Sequence, residues 1–395
     1  MLNDKISPKV IGAIIATGLM SFCGVIVETA MNITFPTLMK EFNVATNTVQ
    51  WMTTLYLLVV ASMVPLSATL KRRFKTRSLI ICAISFFILG VISDGVAPAL
   101  WALLLGRGIQ GLGTGIALPL LFNIFLEQVS DSKSGMMMGV GTMITGVAPA
   151  IGPTFGGIVV SELNWRYIFA FLLPILVVAL ILGLICIQQK TPTAKASIDR
   201  LSVGLIVVTF CGLIFGISSW GSQPFASWSV AGALVVGIIA LIGFTRRSLR
   251  ITQPIINLRL FANRGFTTCV LAFVCLQISA LGLSFVLPNY IQLVNGNTAL
   301  IAGLLVLPGS ALGASVGPLS GRLFDHIGPK LPLRLGGLVG ALGRLGLFLF
   351  GHQLSDPLLV LMYCFSMLGL GLSYGNLMTF GLRHLAPAAS SDGNA

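Results

Sequence analysis

Two charged side chains stand where charge is expensive. Glu28 lies within an apolar run from Val10 to Ile33, and Arg107 within another from Leu100 to Phe125. An ionisable group at membrane depth costs several kcal/mol and marks a functional site by default. Of the eleven acidic residues, only Glu28 reads as lying well inside a helix. At about 1.5 Å per residue, Glu28 falls roughly 12 Å below the end of its helix near Pro36, and Arg107 about 9 Å below Trp101. These depths allow the two side chains to meet. A neighbouring guanidinium favours a carboxylate, whereas desolvation favours the protonated acid. A site poised between the two effects takes up and releases a proton as water or a cationic substrate comes and goes. The alternative leaves Glu28 solvated near the outer mouth, with Arg107 snorkelling along its stem. A third intramembrane charge, Arg344, stands among Gly336, Gly337, Gly340, Gly343 and Gly346. That spacing points to close helix packing. No acid in the later runs offers Arg344 a partner, and its role stays open.

The elements that must position these groups are membrane spans. Apolar residues make up 55% of the chain and charged residues 9%, with a mean hydropathy of +0.96. Soluble domains carry roughly 25% charged residues. About 20 apolar residues cross the hydrocarbon core, and the sequence offers such runs near Val10–Ile33, Trp51–Leu70, Ser78–Ala97, Leu100–Phe125, Gly135–Val160, Trp165–Ile187, Leu201–Trp220, Ser229–Phe244, Thr267–Leu287, Leu300–Leu319, Leu335–Phe350 and Leu358–Leu377. The chain is an all-α polytopic membrane protein with twelve expected spans. The first run is too long for a secretory leader and carries Glu28, Asn32 and Thr34 toward its end. The fifth span is anomalous, because Gly141–Gly157 holds five glycines and two prolines, Pro149 and Pro153. Helix breakers at that depth require neighbours or a cavity that satisfy the backbone.

Positive residues are retained on the cytoplasmic side. With the N-terminus inside, Lys71–Arg77, Lys190–Arg200, Arg246–Arg264 and Arg322–Arg334 all fall in cytoplasmic segments, and only Lys40 and Arg166 fall outside. Trp51, Trp101, Trp165, Trp220 and Trp228 then land at outer helix ends, where amphipathic rings favour the interface. The net charge of +13 is what short basic loops produce, and nucleic acid is not an expected partner. The seven cysteines sit in apolar runs as small hydrophobes and form no disulfide or metal framework. Gly106–Gly111 matches a dinucleotide pattern only formally, since no strand precedes it. His326, His352 and His384 have no second ligand at metal spacing, no catalytic constellation is visible, and no P-loop offers ATP coupling. The chain reads as no enzyme, with no cofactor beyond a proton gradient.

Internal symmetry narrows the class. Gly321–Lys330, GRLFDHIGPK, sits between the tenth and eleventh runs, and Ala68–Arg77, ATLKRRFKTR, between the second and third. In this basic turn the chain resembles the major facilitator superfamily, whose motif there runs G-x-L-x-D-R-x-G-R-K. The second copy keeps Gly321, Leu323, Asp325, Gly328 and Lys330, while the first is degenerate. Leu103–Gly113, LLLGRGIQGLG, resembles the family's fourth-helix motif, with Arg107 as its membrane arginine. Pro149, Gly152, Pro153, Gly156 and Gly157 resemble the fifth-helix signature of its antiporters. Glu28–Pro36, ETAMNITFP, resembles the first-helix motif of the fourteen-helix drug:proton antiporters, which usually have Asp in place of Glu28. Asn164–Phe169 and Gly303–Gly309 are similar to that branch too, and the detail is nearest its lincomycin-resistance-type exporters.

The resemblance implies a major facilitator fold working by alternating access. Residues 1–187 would form an N-terminal six-helix bundle, 188–264 a linker with two inserted helices, and 265–395 a partial C-terminal bundle of four helices with a polar tail. The two basic turns stand eight helices apart rather than six, which places the inserted pair between the halves. Twelve spans against the branch's fourteen predict a chain truncated after the twelfth. The implied function is proton-coupled efflux of amphipathic or cationic drugs across the cytoplasmic membrane, with both termini cytoplasmic. Glu28 would carry the proton, Arg107 would be its electrostatic partner, and Asn32, Gln110, Gln277 and Asn289 would line the cavity. A proton-coupled importer and a truncated, non-transporting remnant are the alternatives. The expected partners are a small amphipathic molecule, protons and lipid; substrate identity and oligomeric state are left open.

Overall fold

The structure, a computed structural model, describes residues 7–128, 131–187, 189, 199–251, 254–351, 354–385 and 393. His352, Lys190 and most of the polar tail lie outside the described residues, as does the side chain of Asp325. All described regular structure is helical: α1 Pro8–Ile33, α2 Phe35–Phe42, α3 Thr46–Arg73, α4 Thr76–Gly95, α5 Leu100–Gln128, α6 Asp131–Glu162, α7 Tyr167–Cys186, α8 Arg200–Trp220, α9 Ala233–Arg250, α10 Arg264–Leu293, α11 Ala299–Ile327, α12 Lys330–Leu349 and α13 Asp356–Leu382. A π-helical turn, Trp228–Gly232, leads into α9. Helices are the expected solution, because a spanning segment must satisfy its own backbone in lipid. Each expected apolar run overlaps one long helix, and ten of these helices are long and apolar enough to cross a membrane by the described residues.

Two elements depart from the sequence reading. Pro36 is not the end of an outer segment; it occupies the first turn of α2, where its missing N–H costs nothing. This short helix buries Phe35 and Leu38 and ends at Asn43 in the left-handed conformation. The second departure concerns Gly321–Lys330, which is not a loop throughout. Helix α11 continues to Ile327, so Gly321 and Asp325 are helical, and the reversal is confined to Gly328 (φ 88°) and Pro329 before Lys330 opens α12.

The helices gather around two cores. One draws Cys23, Val27, Phe87, Leu103, Leu120, Phe169 and Leu176 from α1, α4, α5 and α7. The other joins Leu287, Ile291, Ala302, Val306, Leu359 and Tyr363 from α10, α11 and α13. Helices α8 and α9 pair with each other, and α8 leans on α3, where the Trp51 and Phe215 rings are 5.6 Å apart. Lipid tails are as apolar as leucine, so close van der Waals approach drives this packing instead. On α5, a Cβ at Gly111 would lie 2.9 Å from the Tyr56 carbonyl of α3, and one at Gly113 2.5 Å from the Ala83 carbonyl of α4. The glycines thus wedge α5 between its neighbours and fix where its polar side chains point.

The same device joins the halves. A Cβ at Gly156 would lie 2.6 Å from the Ala30 carbonyl of α1, one at Gly157 2.5 Å from the Ala299 carbonyl of α11, and one at Gly303 2.6 Å from the Pro153 carbonyl. Thr154 Oγ1 donates to the Gly303 carbonyl (3.0 Å), and the Leu300 N–H donates to Ser161 Oγ (3.1 Å). A second contact brings the Phe35 and Phe285 rings to 4.9 Å, and Gln292 Nε2 donates to the Ile33 carbonyl (3.2 Å). These contacts lie toward the α1–α2 end, expected from the charge distribution to face outward.

Candidate functional site

Arg107 is fully buried on α5. Its Nε donates to the Met52 carbonyl (3.3 Å), its Nη1 to Gln110 Oε1 (2.7 Å), and its guanidinium carbon stands 4.2 Å from the centre of the Tyr56 ring. The i, i+3 spacing brings Gln110 beside Arg107 on one helix face. Gln110 in turn donates from Nε2 to Asp94 Oδ2 on α4 (2.7 Å). Asp94 and Gln110 are both 0% exposed. A line of hydrogen bonds therefore runs from Asp94 through Gln110 to Arg107 and ends against α3. The Tyr56 hydroxyl continues the buried polar region, 3.2 Å from the Gly24 carbonyl of α1 and 3.0 Å from Thr114 Oγ1.

The meeting of Glu28 and Arg107 that their depths allow takes a different form. No ion pair or hydrogen bond joins them among the described residues; Arg107 donates from Nε to Met52 and from Nη1 to Gln110, and its Nη2 has no hydrogen-bond partner there. Glu28 is half-buried and lines a cavity of about 210 Å³ between α1, α3 and α10. Asn32, Gln50, Thr53, Thr54 and Ser284 supply the other polar groups, and Leu57, Leu281 and Phe285 the apolar ones. Asn32 Oδ1 and Thr53 Oγ1 are buried in this lining without a hydrogen-bond partner. A buried polar atom left unpaired in the protein is available to water or to a ligand. The cavity joins one titratable carboxylate, a few hydrogen-bonding groups and aromatic surface, a combination suited to an amphipathic guest.

The remaining candidates divide. Gln110 does not line the cavity, because it is consumed between Arg107 and Asp94. Asn289 is 8% exposed, donates to the Phe285 carbonyl of its own helix (2.8 Å) and leaves Oδ1 unpaired. Gln277 is half-buried on α10, one turn before Leu281, outside the cavity lining. Pro149, Gly152, Pro153, Gly156 and Gly157 run along α6, with Gly152 against Thr29 of α1. Arg344 finds a neutral partner, donating from Nε to Ser279 Oγ, and leaves Nη2 unpaired. Around it, Gly336, Gly340, Gly343 and Gly346 pack on α13, whereas Gly337 faces open space.

Asp94 is the residue that sequence reasoning missed. It sits next to Gly95 at the end of its run, where an acid reads as an interfacial group, yet it is sealed from solvent. Its place on the helix carried the signal, since Asp94 shares a face with Phe87, Gly90 and Val91. A second surprise is Trp165, expected in the interface but only 1% exposed. Its Nε1 donates to Glu41 Oε2 of α2 (2.6 Å), and Arg166 bridges the same carboxylate (2.7 Å) and the Ala97 carbonyl (2.8 Å). These bonds rivet α2 to the segments that follow α4 and precede α7.

Comparison with known proteins agrees with this architecture. The profile of the Major Facilitator Superfamily matches residues 17–395. "Lincomycin resistance protein LmrB" of Bacillus subtilis (strain 168) is 41% identical over 82% of this chain and 68% of its own length. Its namesake from Listeria monocytogenes is 35% identical over 97% of this chain and 81% of its own. The "Multidrug resistance protein B homolog" of Mycobacterium tuberculosis (strain ATCC 25618 / H37Rv) is 28% identical over 91% and 67%. Among solved structures, the xylose transporter XylE from E. coli superposes with a TM-score of 0.64 at 15% identity, covering 98% of this chain and 87% of that one. A peptide transporter POT in complex with sulfate gives 0.69 at 15%, covering 97% and 86%, a likeness of fold alone. The chain, a multi-pass membrane protein, belongs to the Major Facilitator Superfamily.

Proposed function

We propose that this protein exports amphipathic or cationic drugs across the cytoplasmic membrane in exchange for protons. The observation that carries this reading is the position of Glu28, the only acid in the described lining of the cavity between the halves. Substrate and proton compete there: the ionised carboxylate attracts a cationic guest, and protonation releases it. Arg107 keeps a fixed positive charge behind the cavity wall, held by Met52, Gln110 and Tyr56. The α6–α11 seam, whose glycines leave backbone against backbone, is the surface on which the halves rock. The relatives named for lincomycin and multidrug resistance support drugs as the substrate class. Both termini face the cytoplasm in this reading, since the basic segments cluster on that side.

Everted membrane vesicles test the proposal. An imposed gradient, acidic inside, is expected to drive a fluorescent amphipathic cation into the vesicles and to release protons as it does so. Substrate movement in the same direction as protons would instead make the protein an importer.

A further inference from the structure

We infer that Asp94 is the counter-charge of Arg107 and a positioning residue for proton exchange, holding the guanidinium on its own side of the cavity wall so that Glu28 is left free to titrate. The inference rests on the proton-coupled reading above and adds to it the group that sets the working pH.

Three observations support it. Asp94 is fully enclosed, with Oδ2 hydrogen-bonded and Oδ1 unpaired, and a carboxyl group sealed in an apolar bundle keeps its charge only with positive charge nearby. The nearest cation by hydrogen bonding is Arg107, reached through Gln110 in two bonds of 2.7 Å each. The fold also reserves space for the carboxyl group, because a Cβ on Gly106 would overlap Asp94 Oδ1, and one on Gly90 would lie 2.7 Å from the Gly106 carbonyl. Helices α4 and α5 thus meet through two glycines at the level of the acid, and the residue before Arg107 is the cradle for its counter-charge.

Other groups around Asp94 are already committed. Just before α7, Arg166 is taken by Glu41 and the Ala97 carbonyl. From α3, Tyr56 lies under Arg107 with its hydroxyl beside Gly24 and Thr114. From α1, Glu28 opens to the cavity. Arg107 therefore faces two acids of different standing, one sealed and hydrogen-bonded, the other accessible. Removing the sealed charge leaves the cation uncompensated, and its full field then falls on Glu28. An unshielded positive charge favours the ionised carboxylate, so Glu28 takes its proton only in more acidic medium.

The pH profile of drug efflux in vesicles reads this directly, and its midpoint does not depend on how much protein inserts. Asp94→Asn, nearly the same shape without the charge, is expected to lower the pH of half-maximal efflux by about half a unit or more. The double variant Asp94→Asn with Gln110→Glu, which returns a carboxylate to the direct partner of Arg107, is expected to bring the midpoint back. An unmoved midpoint in the single variant overturns the inference, as does a double variant that stays displaced. If Asp94→Asn carries no flux at any pH, recovery of flux in the double variant supports the assignment and continued silence overturns it. Glu28→Gln in the same assay separates the two claims. If it leaves pH-driven efflux intact, proton exchange at Glu28 fails and this inference with it. If it abolishes efflux while Asp94→Asn changes nothing, the role of Asp94 alone is lost.

Discussion

Thr154 on α6 and Gly303 on α11 come from opposite halves of the molecule, and the Thr154 hydroxyl donates to the Gly303 carbonyl at 3.0 Å. The contact is possible only because Gly303 has no side chain; a Cβ there would lie 2.6 Å from the Pro153 carbonyl. Backbone cannot yield as a flexible side chain does. Gly303→Val is expected to wedge the halves apart at this end and to destabilise the closed seam by about 1–3 kcal/mol. That corresponds to a shift of about five- to a hundredfold in the population of the closed state. Vesicle flux per inserted protein should fall by about fivefold at the low end of that range and by more above it, and undiminished flux would show that the seam is not used in the cycle.

Arg107→Lys is expected to fail despite keeping the charge. The guanidinium addresses Met52 and Gln110 at once and stacks on Tyr56, which a lysine ammonium does not reproduce. Losing a charge-assisted hydrogen bond in a buried site costs about 1.5–3 kcal/mol, so transport should drop by roughly ten- to a hundredfold. Transport assays on protein of confirmed insertion check this, and near-normal activity would mean that charge alone suffices.

Much of this arrangement was legible beforehand. Each apolar run became a helix because lipid leaves no other option for the backbone, and Glu28, alone among charged residues in its run, was marked by its cost. Tertiary relationships were not legible to the same degree. The matched depths of Glu28 and Arg107 suggested contact, but depth along a helix says nothing of rotation about it, and Arg107 turns to Gln110 and Met52. Gln110 was placed in the cavity by its type, whereas its i+3 position after Arg107 decides its role. Asp94 was hidden by its place at a helix end, since local sequence does not tell a submerged end from an exposed one. Pro36 marks the outer end of the first run by sequence alone, although a proline in a first turn equally starts a helix.

The rivet at the α2 end predicts a stability effect. Trp165→Phe keeps an aromatic ring, though a smaller one, and removes the donor to Glu41 Oε2. A net loss of about 1.5–3 kcal/mol is expected, seen as a lower Tm in detergent with little change in flux. A large loss of flux with unchanged Tm would assign Trp165 a direct part in transport.

A pH dependence follows from Asp199, just before α8 and paired with α9. Two hydrogen bonds from Arg247 (2.7 and 2.8 Å), with a third from Ser202 (2.6 Å), hold its carboxyl well below the usual carboxylate range. A depressed native pKa contributes stability above the unfolded value, near 3.9, and loses it as pH falls through the native value. The pair is partly exposed, so about 1 kcal/mol or less is expected after screening. Asp199→Asn should lower Tm slightly at neutral pH and low salt, and the difference from wild type should shrink in strong acid and in high salt. A difference constant across pH would trace the effect to packing.

Glu28 is the point on which the account turns, because among the described residues it alone brings a titratable acid to the cavity between the halves. The most direct test is efflux of an amphipathic cation driven by an imposed pH gradient in vesicles carrying Glu28→Gln, with insertion verified by yield and helix content. Abolished gradient-driven efflux with normal insertion is the predicted result, and efflux equal to wild type would contradict it.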